Sequence, residues 1–338
     1  MSGNVFITGA TGLIGFRILL AALAAGHHVR YAVRSEEKAR IVESNPAIQK
    51  LRTTMRDFPN LSSVFIPDFT ADGAFDAAVE SVTHIIHVGS PVPMPTFDPT
   101  TQVFEPMIKI TAGLLQSALK SPSVKRVVIT SSIVANLSES AEGPVSASTR
   151  VPPPNPIPET FKNVMEAYVV GRRAEMQNLD LFARDNRPHF TIARVHPGYV
   201  FGRNELALDA TMMHTQNNSN NFLMLGFLGG ELPFPVHGAF AHIDDVAEVY
   251  LRLAFESNAG AIGLATKIDY ASVFDIIEKR YPEAVKVGVF KKGKIPTLPV
   301  DYDSSDAEAL LGGFRSFESA VADVAGQYLE LLDGNKEH

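Results

Sequence analysis

Short apolar runs alternate with longer amphipathic stretches over the first two-thirds of the chain. NVFITG gives way to RILLAALAAG, HVRYAV to the charged SEEKARIVES, and SVFIPD, THIIHVGS, VKRVVITSS and FTIARVHP continue the series. Runs this short that are apolar at successive positions bury both faces, as parallel strands do when helices cover them on either side. Helix-like stretches of 12 or more residues separate most of them. The pattern predicts an α/β fold built on a doubly wound parallel sheet. Gly26, just past the first helical run, suits a left-handed helix end because it has no Cβ. Two irregular stretches, 138–160 and about 203–236, interrupt the alternation and read as loops that cover a site. After Gly260 the alternation weakens, and YASVFDIIEKRY and SFESAVADVAGQYLELL predict a smaller, mainly helical C-terminal lobe.

Directly after the first apolar run stands Thr8-Gly9-Ala10-Thr11-Gly12-Leu13-Ile14-Gly15, three glycines at three-residue intervals opening a helix. In that context Gly9 permits a tight turn, Gly12 lets backbone approach a pyrophosphate and Gly15 lets helix and strand pack closely. The free N–H groups and positive dipole of the helix start favour the anion. The sheet is therefore expected to be of Rossmann type and to bind a dinucleotide. The division expected is a dinucleotide-binding domain over 1–200, to which 236–263 returns, and a substrate lobe made of 201–235 and 264–338. Arg34, nineteen residues after Gly15, occupies the place where an NAD-specific site has an acidic side chain. Its guanidinium, with Lys38 one turn into the next helix, suits a 2′-phosphate, and NADPH is the expected cofactor. Asp68, at the end of the third strand, and the backbone of the adjacent Phe69 are placed to meet the adenine.

Composition narrows the partners. The net charge of −7 arises from interspersed residues, with no basic block to track a phosphate backbone, so nucleic acid is not an expected partner. The absence of cysteine excludes disulfides, thiolate metal sites and a cysteine nucleophile, and fits a cytoplasmic setting. No stretch has the apolar length of a membrane span, and the N-terminus lacks a signal-peptide pattern. The sequons at Asn60, Asn136, Asn217 and Asn218 read as chance matches. The ten histidines are scattered, so no metal site is expected, and no G-x-S-x-G elbow is present.

Ser132 ends a strand at the ligand-binding edge of such a sheet, and Tyr168 begins the next helix. A tyrosine hydroxyl serves as a proton donor to a carbonyl oxygen when a neighbouring cation favours its ionised form, and a serine hydroxyl shares that oxygen. Arg172, four residues on, lies on the same helical face as Tyr168. TGATGLIG, HVGSP, VVITSS, AYVVGR and HPGYVFG, in this order and spacing, resemble the extended short-chain dehydrogenase/reductases. AVRSEEK, PDFTADGAFDAAV, AHIDDVAEVYLRLA and DSSDAEALLGGFRSFESAVADV are similar to the group of dihydroflavonol reductases, cinnamoyl-CoA reductases and fungal carbonyl reductases of methylglyoxal type.

The resemblance covers nearly the whole chain. It implies that Ser132 binds the substrate carbonyl and Tyr168 donates the proton. It further implies a cofactor site of Thr8, Gly9, Thr11, Gly12, Leu13, Ile14, Gly15, Arg34, Lys38, Asp68, Phe69, Gly89, Ser90, Tyr168, Arg172, Pro197 and Gly198. One position departs from the pattern. Arg172 stands where the family has a lysine that holds the nicotinamide ribose and tunes the tyrosine; arginine keeps the charge but spreads it over a plane. Gly89 replaces a usual alanine, and Ile110 stands where the group often has glycine. Arg173 reads as a surface residue, and His196 as either an extra acid or base or a neutral packed histidine.

Pro91, Met212 and Phe222, with Met213, Leu223, Met224, Leu225 and Phe227, offer apolar surface for a substrate pocket, although core packing claims at least half of them. The expected activity is NADPH-dependent reduction of a ketone or aldehyde on a medium-sized hydrophobic molecule, by a monomer or homodimer. The Arg172 substitution leaves two alternatives: a non-redox isomerase, lyase or cyclase, or a nucleotide-sensing binding protein.

Overall fold

The apolar runs become strands and the amphipathic stretches between them become helices, with boundaries set by turn and capping residues. The computed structural model describes residues 2–138 and 145–334. Its strands are β1 (Asn4–Thr8), β2 (His28–Val33), β3 (Leu61–Phe65), β4 (His84–His87), β5 (Arg126–Thr130), β6 (Val145–Ser146), β7 (Thr191–Pro197), β8 (Tyr199–Phe201), β9 (Val236–His242), β10 (Ala261–Leu264), β11 (Thr266–Lys267), β12 (Thr297–Pro299) and β13 (Tyr302–Asp303). The helices are α1 (Leu13–Ala24), α2 (Glu36–Glu43), α3 (Pro46–Thr54), α4 (Glu105–Lys120), α5 (Val164–Asn186), α6 (Ala210–Thr215), α7 (Asn220–Phe227), α8 (Ile243–Phe255), α9 (Val273–Arg280), α10 (Pro282–Lys286), α11 (Ser305–Leu311) and α12 (Phe317–Gly334).

Seven strands form the main sheet in the order β10-β7-β5-β4-β1-β2-β3, every neighbouring pair parallel. The strand order reverses between β1 and β4, so the loops that leave those two strands border the crevice where such sheets bind ligands. One face is covered by α1, α8 and α11, through Phe16, Leu19, Leu23, Val246, Leu253 and Ala307. The other is covered by α4, α5 and the segment 75–82, through Leu114, Leu115, Leu179, Phe75 and Val79. Burial on both sides accounts for the unbroken apolar runs. Gly26 ends the first helical turn region with φ +82°, the left-handed conformation its position suggested.

The chain differs from the expected alternation in two places. Residues 70–81 between β3 and β4 form a series of turns rather than a regular helix, punctuated by Gly73 and Ser81 at positive φ. The C-terminal lobe also holds a small sheet, β11-β9-β12 with β8 on β9. Its short strands are too brief to show a period in sequence. Thus 236–263 divides: β9 runs in the small sheet, while α8 and β10 pack on the main one. Phe201, Phe227, Phe240 and Phe290 fill the core of this lobe.

Candidate active site

The glycine turn separates what the fold needs from what a ligand needs. Gly9 has φ +77°, and a Cβ on it would lie 2.6 Å from the Gly89 nitrogen. A Cβ on Gly15 would lie 2.1 Å from the Gly9 carbonyl oxygen, so that contact is closed to any larger residue. Gly12 is different. It is exposed with extended backbone, and the nearest atom to its Cβ would be 3.5 Å away, an ordinary contact. Nothing in the chain requires glycine there, whereas a pyrophosphate lying on that backbone would. α1 has no side-chain cap and no acidic residue in its first turn, leaving the N–H groups of Leu13 and Ile14 for an anion. The residues therefore fit a dinucleotide. Thr11 is half-buried beside the turn, and Thr8 is fully buried.

Across the crevice, Gly89 donates its N–H to Thr8 Oγ1 at 3.0 Å. Ser90 follows with a buried hydroxyl that has no hydrogen-bond partner, an atom that a ligand in the crevice would satisfy. Arg34 and Lys38 are exposed at the end of β2 and in the first turn of α2, and neither side chain joins an ion pair among the described residues. Asp68 is exposed, and its Oδ1 accepts from the Thr70 hydroxyl and N–H, which hold the carboxyl below the usual carboxylate range. The Phe69 ring packs on Phe75 at 5.6 Å and joins the core, so its side chain serves the fold.

Ser132 follows β5 and caps the turn Ile133–Ala135, its Oγ accepting from Val134 at 3.4 Å. Tyr168 lies in the second turn of α5, half-buried among Ile133, Val134, Ala167 and Val170. The Arg172 guanidinium carbon lies 5.1 Å from the Tyr168 ring centroid. Arg172 is 4% exposed, and its Nη1 donates to the Thr130 carbonyl at 2.9 Å and to Glu175 Oε2 at 2.8 Å. Burial opposes its charge, but Tyr168 and Glu175 hold the guanidinium above its ordinary range.

Pro197 ends β7 and is buried, while a Cβ on Gly198 would lie 2.4 Å from the Ala239 carbonyl oxygen, where β7 crosses to the small sheet.

The family model for the NAD dependent epimerase/dehydratase family matches residues 5–265. The chain belongs to that family. Membership makes it an NAD(P)-dependent oxidoreductase of the extended short-chain dehydrogenase/reductase type. Among curated members it is 33% identical over 346 residues to "Ketoreductase CTB6" of Cercospora nicotianae, covering 97% of this chain and 95% of that one. It is 32% identical over 348 residues to "NAD-dependent epimerase/dehydratase ALT6" of Alternaria alternata, covering 97% of each. Among solved structures, Gre2 of Candida albicans in complex with NADPH has the same fold, with a TM-score of 0.79 at 21% identity over 97% of this chain and 99% of that one.

Within this family member, the structure decides several expectations about the site, and the surface reading of Arg173 needs correction. Arg172 is turned into the protein, because Thr130 and Glu175 offer it buried acceptors; it is not free to bind a ribose through Nη1. Arg173 is no surface residue, since its Nη2 donates to the Leu137 carbonyl at 2.7 Å and secures the segment after β5. His196 is fully buried with Nδ1 3.4 Å from the Ser132 carbonyl oxygen, and burial pushes it down to about 3, so it is a neutral packed residue rather than an acid or base. Asn136 is also fully buried, its side chain donating to Thr149 and accepting from Tyr302, which excludes glycosylation there.

Of the apolar candidates, Met213, Leu223, Met224 and Phe227 are core, whereas Met212 and Phe222 are half-buried at its margin. Phe222 meets Tyr199 edge to face at 5.4 Å, and Tyr199 in turn neighbours Tyr168, so the aromatic surface continues to Tyr168. Pro91 is half-buried beside Ser90.

Sequence reading missed Glu175, Thr111 and His87. Thr111 donates to Glu175 Oε1 at 2.6 Å and lies 3.3 Å from His87 Nε2, and His87 Nδ1 is 2.7 Å from Thr8 Oγ1. The one local signal was the spacing of Arg172 and Glu175, a turn of helix apart.

Proposed function

We propose that this chain is an NADPH-dependent carbonyl reductase acting on a ketone or aldehyde of a medium-sized hydrophobic molecule. The observation that carries the reading is Tyr168: a half-buried phenol beside a buried guanidinium, at the same sheet edge as a glycine turn whose Gly12 is left bare. When bound, NADPH supplies the hydride. Tyr168 donates its hydroxyl proton to the carbonyl oxygen, with the Arg172 guanidinium held beside its ring. Ser132 Oγ accepts from Val134, which leaves its own proton free to donate to the same oxygen. Gly12 and the start of α1 support the pyrophosphate, and exposed Arg34 and Lys38 pair with the 2′-phosphate. The NADPH held by the Gre2 structure of the same fold supports that choice, and the ketoreductase names of the curated relatives support the chemistry.

Tyr199, Phe222, Met212 and Pro91 give the substrate an apolar wall and no fixed charge. The reading carries with it a small-molecule substrate, a cytoplasmic setting and a monomer or homodimer. The non-redox alternative loses its best candidate, because His196 is neutral and buried. A panel of hydrophobic aldehydes and ketones, followed by NADPH absorbance, tests the proposal: consumption dependent on one of them is expected, and tight NADPH binding without reduction of any would favour the alternatives.

A further inference from the structure

The buried polar groups behind Tyr168 form a chain in which each proton has one place to go. Thr111 gives its proton to Glu175 Oε1, so a neutral His87 donates to Thr111 from Nε2 and its Nδ1 accepts from Thr8, whose Oγ1 also accepts from Gly89. Glu175 Oε2 receives Nη1 of Arg172. The carboxylate is 3% exposed and both its oxygens are occupied, so its position is fixed from β1, β4 and α4 at once.

We propose that Glu175 is a positioning residue for the reaction: it holds the Arg172 guanidinium beneath the Tyr168 ring and cancels most of its charge there. A lysine or arginine without that partner would present a full positive charge to the phenol. Here the phenol faces a neutral pair, and the guanidinium reaches it as an oriented group rather than a free cation. The other titratable groups around Tyr168 do not change charge across the neutral and mildly alkaline range. On the β4 and β7 side, burial, with Arg172 and Arg194 adding to it, pushes His87 and His196 down to about 3. Burial pushes Tyr199 up to about 12 and raises Tyr250 of α8 and Tyr302 of β13. Thr130 and Ser132 on the β5 side do not titrate. Arg172 and Glu175 are left as the charged pair beside Tyr168.

This inference rests on Tyr168 being the proton donor, and its test separates the two ideas. In cofactor-free protein carrying ¹³C-labelled tyrosine, the Tyr168 signal, assigned by its loss in Tyr168→Phe, is titrated by NMR. Glu175→Gln keeps the shape and removes the charge, so the Tyr168 midpoint is expected about one pH unit lower than in the parent. The alkaline limb of kcat/KM for carbonyl reduction moves down by the same amount, because the phenol must be protonated to donate. Glu175→Asp restores the charge and is expected to restore the midpoint while kcat stays lowered several-fold. An unmoved midpoint in Glu175→Gln, with activity reduced equally at every pH, would make Glu175 merely structural and overturn the proposal.

Should Glu175→Gln fail to fold, the double variant Arg172→Gln, Glu175→Gln removes the pair together. Its midpoint is then expected within about half a unit of the parent, and a rise of a full unit or more would show that Glu175 had not been offsetting Arg172. The NMR result stands whatever Tyr168→Phe does to turnover, so failure of the reductase reading is seen separately.

Discussion

Two arginines, Arg34 and Arg172, occupy positions where another residue type was expected, and their surroundings are opposite. Arg34 replaces an acidic residue at the mouth of β2, exposed and outside every ion pair among the described residues. Arg172 replaces a lysine at the root of the Tyr168 helix face, buried and bonded to Thr130 and Glu175. A guanidinium left free at a ligand-binding edge gains its partner from the ligand. One that is already paired acts on its neighbours through position and charge. On the proposed reading, the first change sets which cofactor binds and the second how the proton donor is held.

The comparison breaks most visibly on truncation. Arg172→Ala leaves the Glu175 carboxylate buried without its partner and is expected to cost about 3–5 kcal/mol of stability, whereas Arg34→Ala is expected to stay within about 0.5 kcal/mol of the parent. Urea unfolding of both variants checks this; equal losses would erase the distinction.

Acid is a second lever on stability. His87 and His196 are both buried and pushed down to about 3 from an ordinary 6.5. Their folded values lie below the unfolded one, so the unfolded chain binds more protons. Their contribution is complete above pH 6.5 and is lost as pH falls toward 3, by about 1.4 kcal/mol per pH unit for each ring. Unfolding free energies measured across that window should show the slope, and His196→Gln should reduce it; a flat profile would mean that these rings do not titrate on unfolding.

At the free arginine the effect is on affinity. Arg34→Ala should remove most of an NADPH-over-NADH preference of about 1.5–3 kcal/mol. Calorimetry at fixed salt measures it, and equal affinities in the parent would contradict the assignment. The smallest expected change is the stability of Gly12→Ala, altered by less than about 1 kcal/mol while NADPH binding weakens; a clear loss of stability would mean that this glycine serves the fold.

How much of this was legible in the sequence depended on distance along the chain. The strands of the main sheet, the turn from Gly9 to Gly15, and the cations Arg34 and Lys38 are each written within a few residues, because backbone geometry and helix ends are local. Ser132 and Tyr168 were legible through the motifs around them. The burial of Arg172 was not, since it depends on a carbonyl from β5 and on a carboxylate fixed by Thr111 of α4 and His87 of β4. The small sheet escaped for a related reason: strands of two or three residues, such as β11 and β12, have no period to read.

The reductase account turns on Tyr168. With a carbonyl substrate found by the NADPH screen, turnover by the parent and by Tyr168→Phe is compared alongside NADPH affinity from calorimetry. The account predicts a loss of about 10²- to 10⁴-fold in kcat with NADPH affinity nearly unchanged. Turnover by Tyr168→Phe at the parental rate would contradict it.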